Sequence, residues 1–339
     1  MAIVINGSGT VTGVSQGGLP DASVDNDTLA SGISASKLTG SLPAINGSAL
    51  TNLPSTSTAD ILSAAQLTYT DSYNIGLGSG SLGAITTGDY NIAVGRYALD
   101  STTEGSNNVS IGYGTMDGNT TGSSNVALGR SALTANTTAS NNTAIGYYAL
   151  VSNTTGAHNT AIGRESLIAN TTANDNTALG SSALGGNTTG ASNTAIGRGV
   201  MFANTTGANN TAIGFEALVS NTTGIRNTAI GESALRANTT ASQNTAVGYY
   251  ALATNTAGLY NVAVGLESLE DNTSGDNNTA VGYQAGHTNT TGESNTSFGY
   301  QALYANTTGH SNTALGKNSG NNITTGYKNT FVGLLAGQT

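Results

Sequence analysis

The chain has no cysteine and no tryptophan among its 339 residues, and only 8% of them are charged, against roughly 25% in an average soluble domain. Without thiols, neither a disulfide scaffold nor a thiolate metal centre can form. Nine Lys plus Arg face eighteen Asp plus Glu, giving a formal net charge of −9. A sequence-independent nucleic-acid binder would lack the cations that displace counterions from phosphate, so no nucleic-acid partner is expected. The three histidines, His158, His287 and His310, stand far apart, which leaves a His-rich metal site little material. Aromatic residues make up 5% and hydrophobic residues 37%, too lean for one large globular core of about 300 residues. Glycine is abundant instead, at 47 residues, and regular repetition is the first candidate for what replaces the missing bulk.

Long apolar runs are absent too. The opening Met1-Ala2-Ile3-Val4-Ile5-Asn6 carries no basic residue and its apolar run is too short for a secretory signal. No stretch of 18 apolar residues occurs, so no helical membrane insertion is expected.

What is there is a repeat. The pentad Asn-Thr-Ala-Ile-Gly begins at Asn142, Asn159, Asn193, Asn210 and Asn227, always separated by multiples of 17. Extended in both directions, this register gives sixteen copies between Asn74 and the C-terminus, each with Asn at position 1, an apolar residue at position 4 and Gly at position 5. Position 9 is Leu or Met in thirteen copies and Gly in three; position 13 is Thr throughout, and position 15 is Gly or Ala. Units of 17 residues cannot bury cores of their own and must stack. Two glycines and several β-branched or Asn residues per unit leave no 3.6-residue apolar stripe, so helices are not expected.

The pattern predicts an all-β fold, a parallel β-solenoid or β-roll of sixteen coils over 74–339, with two short extended pieces per coil. Positions 2 and 4 are expected to face the interior with position 9, and the small position 3 to form a flat outer face. Glycines at 5 and 15 suit corners with φ > 0, and asparagines at 1 and 12 suit ladders between coils. Sixteen coils at about 4.8 Å each make a rod roughly 75 Å long. So thin a rod favours self-association about an axis, and a homotrimer is the expected form.

Residues 1–73 lie outside the register and hold all three prolines, Pro20, Pro43 and Pro54. They read as short extended pieces between turns, with brief helices at 28–38 and 58–67, in an attachment or stalk segment. The opening MAIVINGSGTVTGVSQGGLPDASVDNDTLASGISASKLTGSLPAINGSALTNL resembles the N-terminal segments of tail-fibre and related virion proteins of tailed bacteriophages, particularly marine ones. The unit NTAIGxxALxxNTTG resembles repeats of phage fibres and, more loosely, the heads of trimeric autotransporter adhesins, which form left-handed β-rolls. Those heads have a period nearer 14 or 15 and belong to proteins with an export signal and an anchor; many repeat-bearing fibres end in a self-cleaving chaperone domain, whereas this chain stops within its sixteenth repeat. The resemblance implies a homotrimeric virion fibre protein, with a left-handed coil, residues 1–73 docking to other tail or capsid proteins, and the solenoid reaching toward a host-surface glycan or protein. A bacterial surface adhesin and an ice-binding rod are the alternatives.

Chemistry has little support in the sequence, and neither an enzyme nor a cofactor is expected. Glu165, Glu216, Glu232 and Glu267 fall at positions 6 and 7, corners expected to project into water. The histidines fall at positions 17, 10 and 16 and share no column. Position 6 is the candidate for recognition: Arg96, Arg130, Arg164 and Arg198 occupy alternate coils, and Tyr113, Tyr147, Phe215, Tyr249, Tyr283 and Tyr300 fill others. Arg forks and aromatic faces suit acidic groups and sugar rings, but equivalent side chains on a solenoid also stack on one another. The Thr columns at positions 13 and 14, such as Thr154 and Thr155, raise ice binding. Adjacent threonines before Gly more simply close a corner with side-chain to backbone bonds.

Overall fold

A computed structural model describes residues 4–5, 11–12, 67–70 and 73–338. The chain divides into two units, 1–57 and 58–339. In the first, β1 (Val4–Ile5) and β2 (Val11–Thr12) form an antiparallel pair with Val4 opposite Thr12. The helix expected at 28–38 lies outside the described residues, as does most of that expected at 58–67. Its last residue, Leu67, instead opens β3 (Leu67–Thr70), which pairs antiparallel with β4 (Asn74–Leu77) at the head of the repeats.

From β4 the second unit is a single ladder of parallel strands, one per coil, ending at β19 (Thr330–Val332). Each strand pairs with the next at an offset of one repeat, as in Thr177 opposite Thr194 and Ile196 opposite Ile213. The expected parallel β-solenoid is present, its sixteen strands β4 to β19 bounding about fifteen full coils of 17 residues, and no helix occurs among the described residues.

Three expectations about the coil are corrected. Each coil has one strand, at positions 2–4, and not two. The rest of the circumference is turns, because positions 7, 9 and 17 adopt the left-handed conformation with non-glycine residues in most copies; Tyr148 (φ 56), Leu150 (φ 52) and His158 (φ 59) are one such set. The backbone is nevertheless tied between coils all the way round: Leu150 N–H donates to the Ser166 carbonyl at 3.0 Å, Thr154 N–H to Thr171 at 2.9 Å and His158 N–H to Ser140 at 3.2 Å. A left-handed leucine costs on the order of 1 kcal/mol; burying its side chain returns about 2 kcal/mol.

The facing of the strand is the reverse of that expected. Position 3, Ala in Ala144, Ala161, Ala178, Ala195 and Ala212, is fully buried, while positions 2 and 4 face outward. Volume explains the choice. The interior already receives one large side chain per coil from position 9, such as Leu150, Leu167 and Leu184, and a small one from position 8, such as Ala149 and Ala183. A 17-residue coil has no room for two further aliphatics, so the strand turns its small residue inward, and the period of two sends both neighbours out. Where position 3 is large the coil compensates: Phe331 packs toward the core where Gly320 and Gly337 replace leucine at position 9.

Position 15 is not the left-handed corner expected. At position 5 the backbone is left-handed, as in Gly163 (φ 135), where a Cβ would meet the Gly180 carbonyl oxygen at 2.5 Å. Position 15 has no positive φ. Its residue is small because the next coil passes too close: a Cβ on Gly258 would meet the Gly275 oxygen at 2.5 Å. Ala139, Ala173 and Ala241 are tolerated there and buried.

Both asparagine columns are buried ladders. At position 1, Asn193 Oδ1 accepts from Asn210 N–H at 3.0 Å while Asn193 Nδ2 donates to the Gly207 carbonyl at 2.8 Å. At position 12, Asn187 Nδ2 donates to Asn170 Oδ1 at 3.0 Å and to the Gly190 carbonyl at 2.9 Å. A primary amide suits both columns because it carries donor and acceptor at once. The position 12 ladder stops at Asn306, whose Oδ1 has no partner, because Ile323 stands where the next amide would be.

Candidate recognition surface

Gly at position 5 swings the chain out of the strand, and position 6 projects from that corner. Arg96, Tyr113, Arg130, Tyr147, Arg164, Arg198, Phe215, Tyr249, Tyr283 and Tyr300 therefore follow one line along the solenoid. The six aromatic rings among them are well exposed. Several members hold one another between coils. The Arg130 guanidinium lies 5.8 Å from the Tyr113 ring centroid and that of Arg198 5.7 Å from Phe215. Tyr283 and Tyr300 stack at 5.1 Å, and the Lys317 ammonium adds a further layer over Tyr300 at 5.3 Å.

Other members turn sideways to position 7. Arg96 donates to the Tyr97 hydroxyl at 2.8 Å and Arg164 pairs with Glu165 at 2.8 Å. These partners hold both guanidinium groups still more firmly in the charged form, through the hydrogen bond first. Tyr147 lies against Tyr148, with ring centroids 4.1 Å apart, and the hydrogen bond between them pushes the Tyr147 phenol up. Tyr249 and Tyr283 are raised, first by the partial desolvation of phenols packed against their neighbours.

Sequence reasoning missed that position 10 borders this line. Phe202 joins Arg198, Phe215 and Glu216 around a groove of about 250 Å³. An adjoining one of about 480 Å³ shares Glu216 and runs past Arg236 and Tyr250 to Glu270. Arg236 lies 3.8 Å from Glu216 across it. The signal was available in the repeat itself, because position 10 varies between charged, aromatic and small residues while its neighbour at 9 stays Leu or Met in thirteen copies. Glu267 does not simply project into water as expected: it accepts from Gln284 Nε2 at 2.7 Å.

A second surface is the outer face of the sheet. Position 2 gives a column of Thr, Val and Ile, and position 4 a column of aliphatics broken by Phe298. Leu179 is 44% exposed and Phe298 53%. The two columns make an outward apolar ribbon with a Thr edge. The threonines of positions 13 and 14 divide differently. Those at 13 donate to the same carbonyl one coil on, as Thr154 does to Thr171 at 3.0 Å and Thr188 to Thr205 at 3.0 Å, which is the corner-closing arrangement. Those at 14, including Thr155, Thr189 and Thr206, are exposed.

Among the described residues no helix is long and apolar enough to cross a membrane. Compared with family models, curated proteins and solved structures, the chain matches none.

Proposed function

We propose that the chain is a structural fibre protein of a bacteriophage virion, a homotrimer whose solenoid holds a host-binding surface away from the particle. The observation that carries this reading is the outward apolar ribbon of positions 2 and 4. Aliphatic side chains in register over many coils form the kind of continuous patch that a soluble chain covers, and three ribbons about one axis cover one another symmetrically. The resemblance of the N-terminal segment and of the repeat to phage fibres supports the same assignment. Residues 1–73 would dock to other tail or capsid proteins, and the protein's place would be the virion.

On this reading the Arg and aromatic line, with the groove at Arg198, Phe202 and Phe215, meets a host-surface glycan. Rings offer stacking faces to sugars and guanidinium groups pair with acidic substituents. Weak contacts repeated along three chains act together. The function is mechanical and adhesive, without catalysis. Light scattering tests it: the native mass should be three times the 33.6 kDa of one chain, and a stable monomer would remove the basis of the trimer.

One observation favours a second reading. In seven consecutive coils, from Thr143 to Thr245, a threonine at position 2 and an aliphatic at position 4 both point outward, two residues apart, on one parallel sheet. Such a regular lattice of hydroxyl and methyl groups suits ordered water. Thermal hysteresis from a monomeric sample would favour an ice-binding rod; its absence from a trimeric one would favour the fibre.

A further inference from the structure

The repeat is locally abandoned near Gly286. Gly286 stands where the core wants leucine, Ser297 stands where it wants alanine, and the buried core divides there into two clusters. Beside Gly286, position 10 carries His287, with Glu270 one coil before it and Tyr304 one coil after, the latter stacked on the imidazole at 5.2 Å. His287 Nε2 lies 3.1 Å from Glu270 Oε2 and 3.9 Å from Glu267 Oε2, and Nδ1 lies 3.7 Å from Asp271 Oδ2. His287, Glu267 and Glu270 are all half-buried. Gln284, held in turn by Gln301 at 2.7 Å, fixes the Glu267 carboxylate.

One imidazole among three carboxylates poses an electrostatic problem. If neutral with its proton on Nε2, it bonds Glu270 but leaves Nδ1, which is buried and without a hydrogen-bond partner, presenting a lone pair to Asp271. If the proton is on Nδ1, the Nε2 lone pair faces two carboxylates. Either tautomer sets a lone pair against an anion, and a cation beside Nε2 removes the conflict. We infer that Glu267, Glu270 and His287 form a binding site for one first-row divalent metal ion, with Asp271 orienting the imidazole from behind.

Geometry and donor chemistry both fit. The three donor atoms lie within 4.8 Å of one another, and those around a tetrahedral ion at about 2.0–2.1 Å are roughly 3.3 Å apart, so sub-ångström side-chain movement closes the site. One nitrogen and two carboxylate oxygens suit zinc or its neighbours, with water completing the shell. An Nδ1–H directed at Asp271 is the carboxylate–histidine–metal arrangement that fixes tautomer and ring orientation. The ion would staple two coils together where the leucine column fails. This inference does not depend on the fibre reading.

The test uses the full chain, stripped with a chelator, dialysed and titrated calorimetrically with zinc chloride at pH 7. We expect one zinc per chain whatever the oligomeric mass. His287→Gln and Glu270→Gln should abolish it, Asp271→Asn should weaken it by about 10-fold to 100-fold, and His158→Gln and His310→Gln should leave it unchanged. If His287→Gln fails to fold by circular dichroism, Glu270→Gln carries the comparison. No zinc uptake by the wild-type chain would overturn the inference, and so would uptake surviving both ligand substitutions.

Discussion

Replacing Asn210 by Ala tests whether the position 1 ladder supports the solenoid or merely accompanies it. Asn210 Nδ2 donates to the Gly224 carbonyl at 2.9 Å and to Asn193 Oδ1 at 3.2 Å, while its Oδ1 accepts the backbone N–H of Asn227 at 2.9 Å. Gly224 keeps a second donor in Asn221, and Asn193 Oδ1 keeps the Asn210 N–H. The real loss falls on the buried Asn227 N–H. An unsatisfied buried donor costs about 1–3 kcal/mol and each forfeited bond about 1 kcal/mol, so Asn210→Ala should destabilise by about 2–4 kcal/mol. Thr205→Val removes a bond from a half-exposed hydroxyl to the Thr222 carbonyl, which also accepts three backbone N–H groups; it should cost less than about 1 kcal/mol. Thermal and urea unfolding followed by circular dichroism compare the two. Asn210→Asp adds a control of sign: it keeps an acceptor for Asn227 but turns a charged oxygen toward two acceptors, so its stability should recover as pH falls and the carboxyl protonates. The reasoning is refuted if Asn210→Ala unfolds no earlier than Thr205→Val, or if Asn210→Asp is insensitive to acid.

Gly214→Ala should destabilise by more than about 2 kcal/mol, seen as early unfolding, because φ is 135 and the added Cβ would meet the Gly231 carbonyl oxygen at 2.5 Å. Burial, then the charge of Asp100, raises the Asp117 carboxyl, and burial raises Glu270. A carboxyl raised in the fold contributes stability that is full below its unfolded value and lost as pH rises through its folded one. Asp117→Asn should therefore raise the melting temperature at pH 7 and flatten its fall between the acid range and neutrality. On the fibre proposal, Ile213→Lys, on the outer face of β12 (Thr211–Ile213), should lower the native mass without unfolding the coil, read as a drop in mass at unchanged circular dichroism. Arg198→Ala with Phe215→Ala should reduce retention on immobilised host-cell glycan severalfold while leaving melting within about 1 °C; equal retention would take the groove out of the adhesive surface.

The period, the stacking of the repeats and the asparagine ladders were legible because each depends on identity at a fixed spacing, and stacking makes spacing equivalent to contact. Asn142 and Asn159 had to be neighbours once one coil held 17 residues. Left-handed positions were less legible. Glycine at 5 announced itself, but Leu150, Tyr148 and His158 adopt that conformation through the pull of the core and the interlocking of coils, which no local preference reveals. The His287 cluster was invisible for a related reason. Its members are 3, 17 and 20 residues apart, and the histidines, compared only with one another, shared no column; comparing position 10 with position 7 of the preceding coil brings the carboxylates into view.

The facing of the strand carries the largest consequence. Thr-Ala-Ile alternates whichever way it is turned, so periodicity alone leaves two registers, and choosing between them requires the volume of the coil. With Leu at 9 and Ala at 8 already inside, Ile at 4 cannot follow, and the aliphatic column becomes surface. The expectation of self-association thereby changes its physical ground. A flat alanine face would bring chains together by close approach and little burial, whereas the ribbon from Ile145 through Ile162, Ile196 and Ile213 offers apolar area to remove from water, at about 25 cal/mol per Å². If Ile213→Lys leaves the mass unchanged, the ribbon is not where chains meet, and the threonine lattice on that same face becomes the better explanation of why the aliphatic column is kept in register.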